Sequence, residues 1–189
     1  MRNKATIKQL AERRNERFLA FMESVKDFVD MSDIYKNKTA EKILTQVLKK
    51  IKSVLVKKNQ LCELKVSENH EKFIDKIISN IREAGEYLVE SELKQTKKDL
   101  TESYIEDALE YIGNTSSQGK YLNAVNLMVQ LAKIKKVNSL NSRVYELEKD
   151  LRACLSYNDK IENMKNMTVA DEELSYSFVE DTLKECVGV

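Results

Sequence analysis

Proline is absent from the 189 residues, and glycine occurs only four times, at Gly85, Gly113, Gly119 and Gly188. Proline averages about 5% of residues and glycine about 7%. Both weaken or end helices, so a chain this poor in them is suited to long ones. There is one histidine, His70. A His-based metalloprotease or a di-iron bundle needs a pair, at HExxH or ExxH spacing, and Ser67 stands where the ExxH glutamate would be. The three cysteines, Cys62, Cys154 and Cys186, are far apart. They form no C-x-x-C and, with His70, no zinc ligand set. They read as reduced intracellular thiols rather than a disulfide frame. No P-loop or G-x-G-x-x-G is present, and Gly113 to Gly119 lacks the Gly-Lys-Ser/Thr ending that cradles phosphate. The start, MRNKATIKQLAERRNERF, has no apolar run of the signal-peptide kind. No window approaches the roughly 18 apolar residues of a spanning helix. The expectation is a cytoplasmic protein that is not an enzyme, with no metal, cofactor or small-molecule substrate.

What is present is charge and periodicity. A third of the residues are charged, yet the net charge is only +1. The charge is unevenly placed. Residues 37–66 carry eight lysines against Glu41 and Glu63, a balance of +6, whereas residues 168–189 carry six acids against Lys184, a balance of −5.

The strongest pattern lies between Val137 and Ile161. Val137, Val144, Leu151 and Asn158 recur every seven residues, with Leu140, Leu147, Cys154 and Ile161 three further on. Seven of these eight are apolar, which is the a/d spacing of a coiled coil. A stripe of this kind needs a second helix to cover it. Leu147→Asp with Leu151→Asp is therefore expected to abolish partner capture while much of the helicity remains.

In chain order, the first helix reads from about Ala5 to Asp30. Ile7, Ala11, Arg14, Phe18, Phe21, Val25 and Phe28 step by 4 and 3. Arg14 is the one charge on that stripe. It is either a buried pairing device or a stem lying on the stripe with its head in water; the second is the expectation. Ser32 and Asp33 are candidate caps for the next helix. That helix reads from Thr39 to Lys65, with Ile43, Leu44, Val47, Leu48, Ile51, Val54, Leu55, Leu61 and Cys62 on its apolar side. Its other faces carry Lys49, Lys50, Lys52, Lys57 and Lys58. A basic amphipathic helix can lie on an anionic membrane, on nucleic acid or on an acidic protein surface. The expectation is a core helix with a solvated lysine face, since aromatics and arginine forks are missing.

Asn69 is the candidate cap of a third helix running from His70 to about Ile112, with a polar middle around Lys94 to Asp99 where a bend or change of partner is expected. Gly85, beside Ala84, suits a close helix approach. Gly113 to Gly119 reads as a loop reversing the chain, and a fourth helix begins near Lys120. The step from Ala132 to Val137 shifts the stripe. Asn158 is either a buried register device or wet at a fraying end. The last segment reads as a short helix bearing Leu174, Phe178, Leu183 and Cys186, or as a tail that folds on a partner.

These observations predict an all-α fold of elongated helical hairpins or coiled coil, with about four long helices and a short C-terminal one. The divisions are 1–66, a helical pair with a basic second helix; 67–167, a long hairpin with heptads; and 168–189, an acidic helix or tail. The expected function is that of a non-catalytic coiled-coil subunit of a larger assembly, cytoskeletal or spindle- and kinetochore-associated by analogy of composition. The alternatives are a self-contained helical-bundle adaptor and a basic-helix binder of membrane or nucleic acid. Partners are expected to be other helical subunits, or copies of the chain itself, held on Phe18, Phe21, Val25 and Phe28 and on the Val137 to Ile161 stripe.

Overall fold

The computed structural model describes the backbone of residues 2–58, 61–111 and 115–187, and side chains over 4–55, 63–103, 120 and 122–167. The fold is all-α, with one small antiparallel ribbon. The elements are α1 (Arg2–Ile34), α2 (Lys38–Val54), β1 (Leu55–Lys58), β2 (Leu61–Leu64), α3 (His70–Tyr111) and α4 (Thr115–Val187).

The turn after α1 closes with Tyr35 N donating to Met31 O, Lys36 N to Asp33 O and Asn37 N to Ser32 O. Lys36 takes the left-handed conformation, φ 50°, that ends many helices. The cap of α2 is Asn37 rather than Ser32 or Asp33: its Oδ1 accepts from Ala40 N at 3.0 Å. Its amide nitrogen also donates to Tyr87 O and Ser91 Oγ on α3. A residue downstream of both candidates wins because it satisfies an orphan helix amide and anchors the turn to α3 at once.

The second helix is shorter than its apolar pattern predicts. It stops at Val54, and the next residues pair as a ribbon with Leu55 opposite Leu64 and Lys58 opposite Leu61. Two four-residue runs separated by Asn59 and Gln60 are hairpin spacing, and a continuous apolar run of this length does not distinguish helix from strand. Asn69 caps α3 as expected, accepting from Glu71 N at 2.8 Å.

Helices α3 and α4 are both unbroken. The polar middle of α3 carries no interruption, and α4 begins at Thr115, inside the expected loop. The last segment is no separate short helix: α4 runs on through it to Val187, 73 residues in all, or about 110 Å at 1.5 Å per residue. The side chains of Leu174, Phe178, Leu183 and Cys186 lie outside the described residues.

One core joins all four helices. Phe18, Phe21, Val25 and Phe28 of α1, Leu44, Val47 and Ile51 of α2, Phe73, Ile77, Ile81 and Leu88 of α3, and Leu140, Val144, Leu147 and Leu151 of α4 belong to a single buried cluster. Segments 1–66 and 67–167 thus share one interior. Helices α1 and α3 both run antiparallel to α4. Arg14 meets Asn158 while Arg143 meets Met31; Glu71 meets Arg152 while Glu92 meets Lys136.

Gly85 of α3 lies directly against Leu140 of α4. A Cβ there would overlap Leu140 Cδ1, so the expected close approach is real. The terminal methyl of Leu140 can swing for an alanine, which regains about 1 kcal/mol of helix propensity. A branched side chain cannot be met that way. Gly85→Val is expected to destabilise the chain by about 2 kcal/mol, read as a lowered Tm, whereas Gly85→Ala stays near the parent.

Candidate interaction surface

The heptad stripe is covered within the chain. Leu140, Val144, Leu147, Leu151, Cys154 and Ile161 are buried, and so are Phe18, Phe21, Val25 and Phe28. All but Ile161 share one buried cluster with residues of α2 and α3, and all ten are closed to solvent, so they offer no surface to a second molecule. This corrects their expected role. A stripe needs cover but does not specify whose, and α1 supplies it here because the chain folds α1 back along α4. Val137 is the exception, 36% exposed at the edge of the stripe.

The two polar residues of those stripes find each other. Arg14 is 2% exposed and Asn158 6%. Arg14 Nη1 donates to Asn158 Oδ1 at 2.8 Å, and Asn158 Nδ2 donates to Leu64 O on β2 at 3.0 Å. The expectation of a snorkelling Arg14 is overturned: the arginine is paired, α1 to α4 to ribbon, and Asn158 is buried and hydrogen-bonded rather than wet. Beside it, Arg17 Nη1 pairs with Asp150 Oδ1 at 3.0 Å. The Cys154 thiol reaches the Arg14 carbonyl at 3.5 Å. Burial pushes that thiol up to about 12, so at neutral pH it is protonated and a poor nucleophile.

Glu63 on β2 accepts from Lys165 Nζ at 2.9 Å. That hydrogen bond holds the Glu63 carboxyl below its ordinary value, with the charges of Lys165, Arg14 and Lys65 adding to the effect and burial opposing it. A depressed carboxyl stabilises the fold above the ordinary carboxylate range and loses that contribution as pH falls through its folded value. Thermal melts are expected to show Tm falling below about pH 4.5, with a shallower fall in Lys165→Met.

The lysine face is only partly open. Lys49 and Lys52 are exposed. Lys50 pairs with Glu68 at 2.7 Å and lies over the Phe73 ring. The side chains of Lys57 and Lys58 fall outside the described residues, on a strand rather than the expected helix. The ribbon therefore breaks the continuous basic face that a membrane- or nucleic-acid-binding helix requires.

A cleft of about 260 Å³ lies between α1, α3 and α4 beside Gly85, Leu140 and Arg143. Arg143 stacks on Phe28 there, and Lys136 pairs with Glu92. Both cations at its mouth are thus already engaged. Among the described residues no three His, Cys, Asp or Glu side chains stand together as a metal site, and no helix is long and apolar enough to cross a membrane.

Among the described residues, an open apolar line lies on α4. Leu127 is 61% exposed, Leu131 68% and Ile134 61%. Spaced 4 and 3, they form one line on the helix. Met128 borders it, also exposed. The inner side of the same stretch is the one that packs: Val125 is buried, and Val129 and Ala132 lie against the core. Soluble monomers rarely leave such a line uncovered.

This chain matches no family model, no curated protein and no solved structure.

The apolar line on α4 is a surface that reading the heptads did not single out. Its signal was in the sequence: from Thr115 to Ala132 the apolar residues are too many for one face, and the two-sided helix they make has a second side to cover.

Proposed function

We propose that the chain is a non-catalytic helical interaction module that builds a larger protein assembly in the cytoplasm, docking a helix of another molecule on the outer face of α4. The exposed line Leu127, Leu131 and Ile134 carries this reading. Covering each such side chain is worth about 1.5–3 kcal/mol, enough for a helix-in-groove contact read at i, i+4 and i+7. The reading joins two expectations: a subunit of an assembly, and a self-contained bundle whose heptads serve its own core. The buried, protonated Cys154 and the low content of helix breakers agree with a rigid scaffold rather than a reaction centre.

The test is the native mass of the tagged chain in its own cell extract. Leu131→Asp with Ile134→Asp is expected to leave circular dichroism and Tm unchanged, since both sites are exposed, while the chain shifts to the mass of the free monomer. An unchanged assembly mass in that variant would falsify the reading.

A further inference from the structure

The open line of α4 is longer than its three apolar residues. Asn138 follows Ile134 by four, and Tyr145 follows Asn138 by a heptad. Leu127, Leu131, Ile134, Asn138 and Tyr145 are all exposed. At about 100° per residue they stand within about 60° of arc, along about 27 Å of helix. The body packs on the far side, through Val125, Val129, Ala132 and Leu140. The face therefore has the spacing of a coiled-coil seam and the length of nearly three heptads.

Its charge is of one sign. From Thr115 to Tyr145 the chain has no Asp or Glu, so the lysines there find no carboxylate three or four residues away within that stretch. Two of them border the face, and both are exposed. Lys120 stands on the line itself, about two turns before Leu127, and Lys135 about 70–80° to one side, the flank position of a heptad. Lys133 and Lys136 stand about 120° and 180° round the helix from Leu127, and Lys136 is paired with Glu92. The next carboxylates along α4, Glu146 and Glu148, are held by Lys149 and Arg152. On the opposite flank Glu86 and Glu90 of α3 line one hollow with Lys133 and Val137, so that edge carries both signs. The Lys135 edge carries one.

We infer that the occupant of this face is an acidic amphipathic helix of another protein. It is apolar along its seam and carries carboxylates on the flank that meets Lys120 and Lys135. This inference rests on the docking face proposed above and names the chemistry of its partner. A second copy of the chain suits the face poorly, because it brings Lys120 and Lys135 again and no free carboxylate from the same stretch, and like charges set against each other oppose a contact. A bilayer suits it poorly too. The line is one side chain wide and includes Asn138, whereas a helix lying on a membrane presents a broad apolar face.

The test uses the purified full-length chain and two synthetic helical peptides of about three heptads. Both carry leucine at the seam positions. One has glutamate on its flanks and the other lysine, and like charge keeps each from pairing with itself. Binding is followed by fluorescence anisotropy of the labelled peptide. The glutamate peptide is expected to bind with saturation and the lysine peptide about tenfold or more weaker, a gap that closes as salt is raised. Lys120→Glu with Lys135→Glu inverts the preference, and Leu131→Asp abolishes binding of both peptides. Both lysines are exposed, so the charge variant keeps the parent circular dichroism; should Leu131→Asp misfold, the inversion still decides. Equal binding of the two peptides, binding of neither, or a preference unmoved by the charge variant overturns the acidic partner. A chain that dimerises on its own in sedimentation, and loses the dimer with Leu131→Asp, gives the face to a second copy and overturns it as well. So does capture by anionic phospholipid vesicles that Leu131→Asp abolishes. These failures are separable from failure of the docking face itself. A native assembly that dissolves with Leu131→Asp and Ile134→Asp, while neither peptide binds, keeps the face and removes only the acidic partner.

Discussion

Leu147→Asp with Leu151→Asp is expected to unfold the chain, not merely to strip it of a partner. Both leucines are 1% exposed, within the cluster shared by α1, α2, α3 and α4. Truncating one such leucine to alanine costs about 2–5 kcal/mol. Aspartate adds the penalty of an uncompensated buried charge. Two of them exceed the roughly 5–15 kcal/mol by which a domain of this kind is folded. The melt followed by circular dichroism should lose its cooperative transition, and Cys154 should become accessible to a thiol reagent at room temperature. A variant that melts like the parent would mean that this stripe is not closed by the chain's own helices. The contrast with Leu131→Asp and Ile134→Asp, on the same helix but on its outer side, separates core from surface within one element.

Asn158→Leu is expected to destabilise the fold by about 3 kcal/mol, more than its volume change suggests. Asn158 accepts from Arg14 and donates to the Leu64 carbonyl. Leucine withdraws both bonds at once, leaving a buried guanidinium short of an acceptor and a ribbon carbonyl short of a donor. The sharper measurement is the pair Arg14→Met with Asn158→Leu. Removing the charge together with its acceptor leaves an apolar contact between α1 and α4 in place of a stranded ion. Much of the lost stability should return, since buried ion and hydrogen-bond networks are often replaceable as a unit. Equal Tm values for the single and double variants would show that Arg14 draws its main support from elsewhere. The ribbon should loosen in either variant, because Asn158 is one of its two ties to α4, beside the Lys165–Glu63 bond, and backbone hydrogen exchange at Leu64 and Lys65 would report it.

The helices were legible because their evidence is local. Ile7 to Phe28, Ile43 to Ile51 and Phe73 to Leu88 repeat at helical spacing, and nothing in a proline-free chain interrupts them. Asn69 was legible as a cap because a cap acts within a single turn. The errors arose where a local pattern admits more than one answer. Leu55 to Leu64 is apolar enough for a helix and is paired as two strands, because cross-strand pairing and the Asn158 tether compete with helix propagation. Arg14 looked like a snorkelling arginine because its acceptor lies 144 residues away in sequence. Ser116 to Gly119 looked like loop and is helix, since serine and glycine only weaken a helix that its neighbours continue.

The candidate surface shows the same division. Val137 to Ile161 was legible as a stripe in need of cover. That the cover is α1 of the same chain depends on how the helices reverse, which no heptad records. The line at Leu127, Leu131 and Ile134 is exposed because the body takes the inner side of α4, through Val125, Val129 and Ala132.

By itself, the sequence determined that this chain is a set of long helices, where most of them start, and which residues must leave water. Those properties follow from backbone torsion preferences and from the 3.6-residue period, both of which act over a turn or two. Only the tertiary structure decided which apolar faces cover one another and which one stays open. Burial energy is proportional to area and indifferent to which partner supplies it, so it is the packing of α1, α2 and α3 along α4 that makes ten stripe residues core and three others surface.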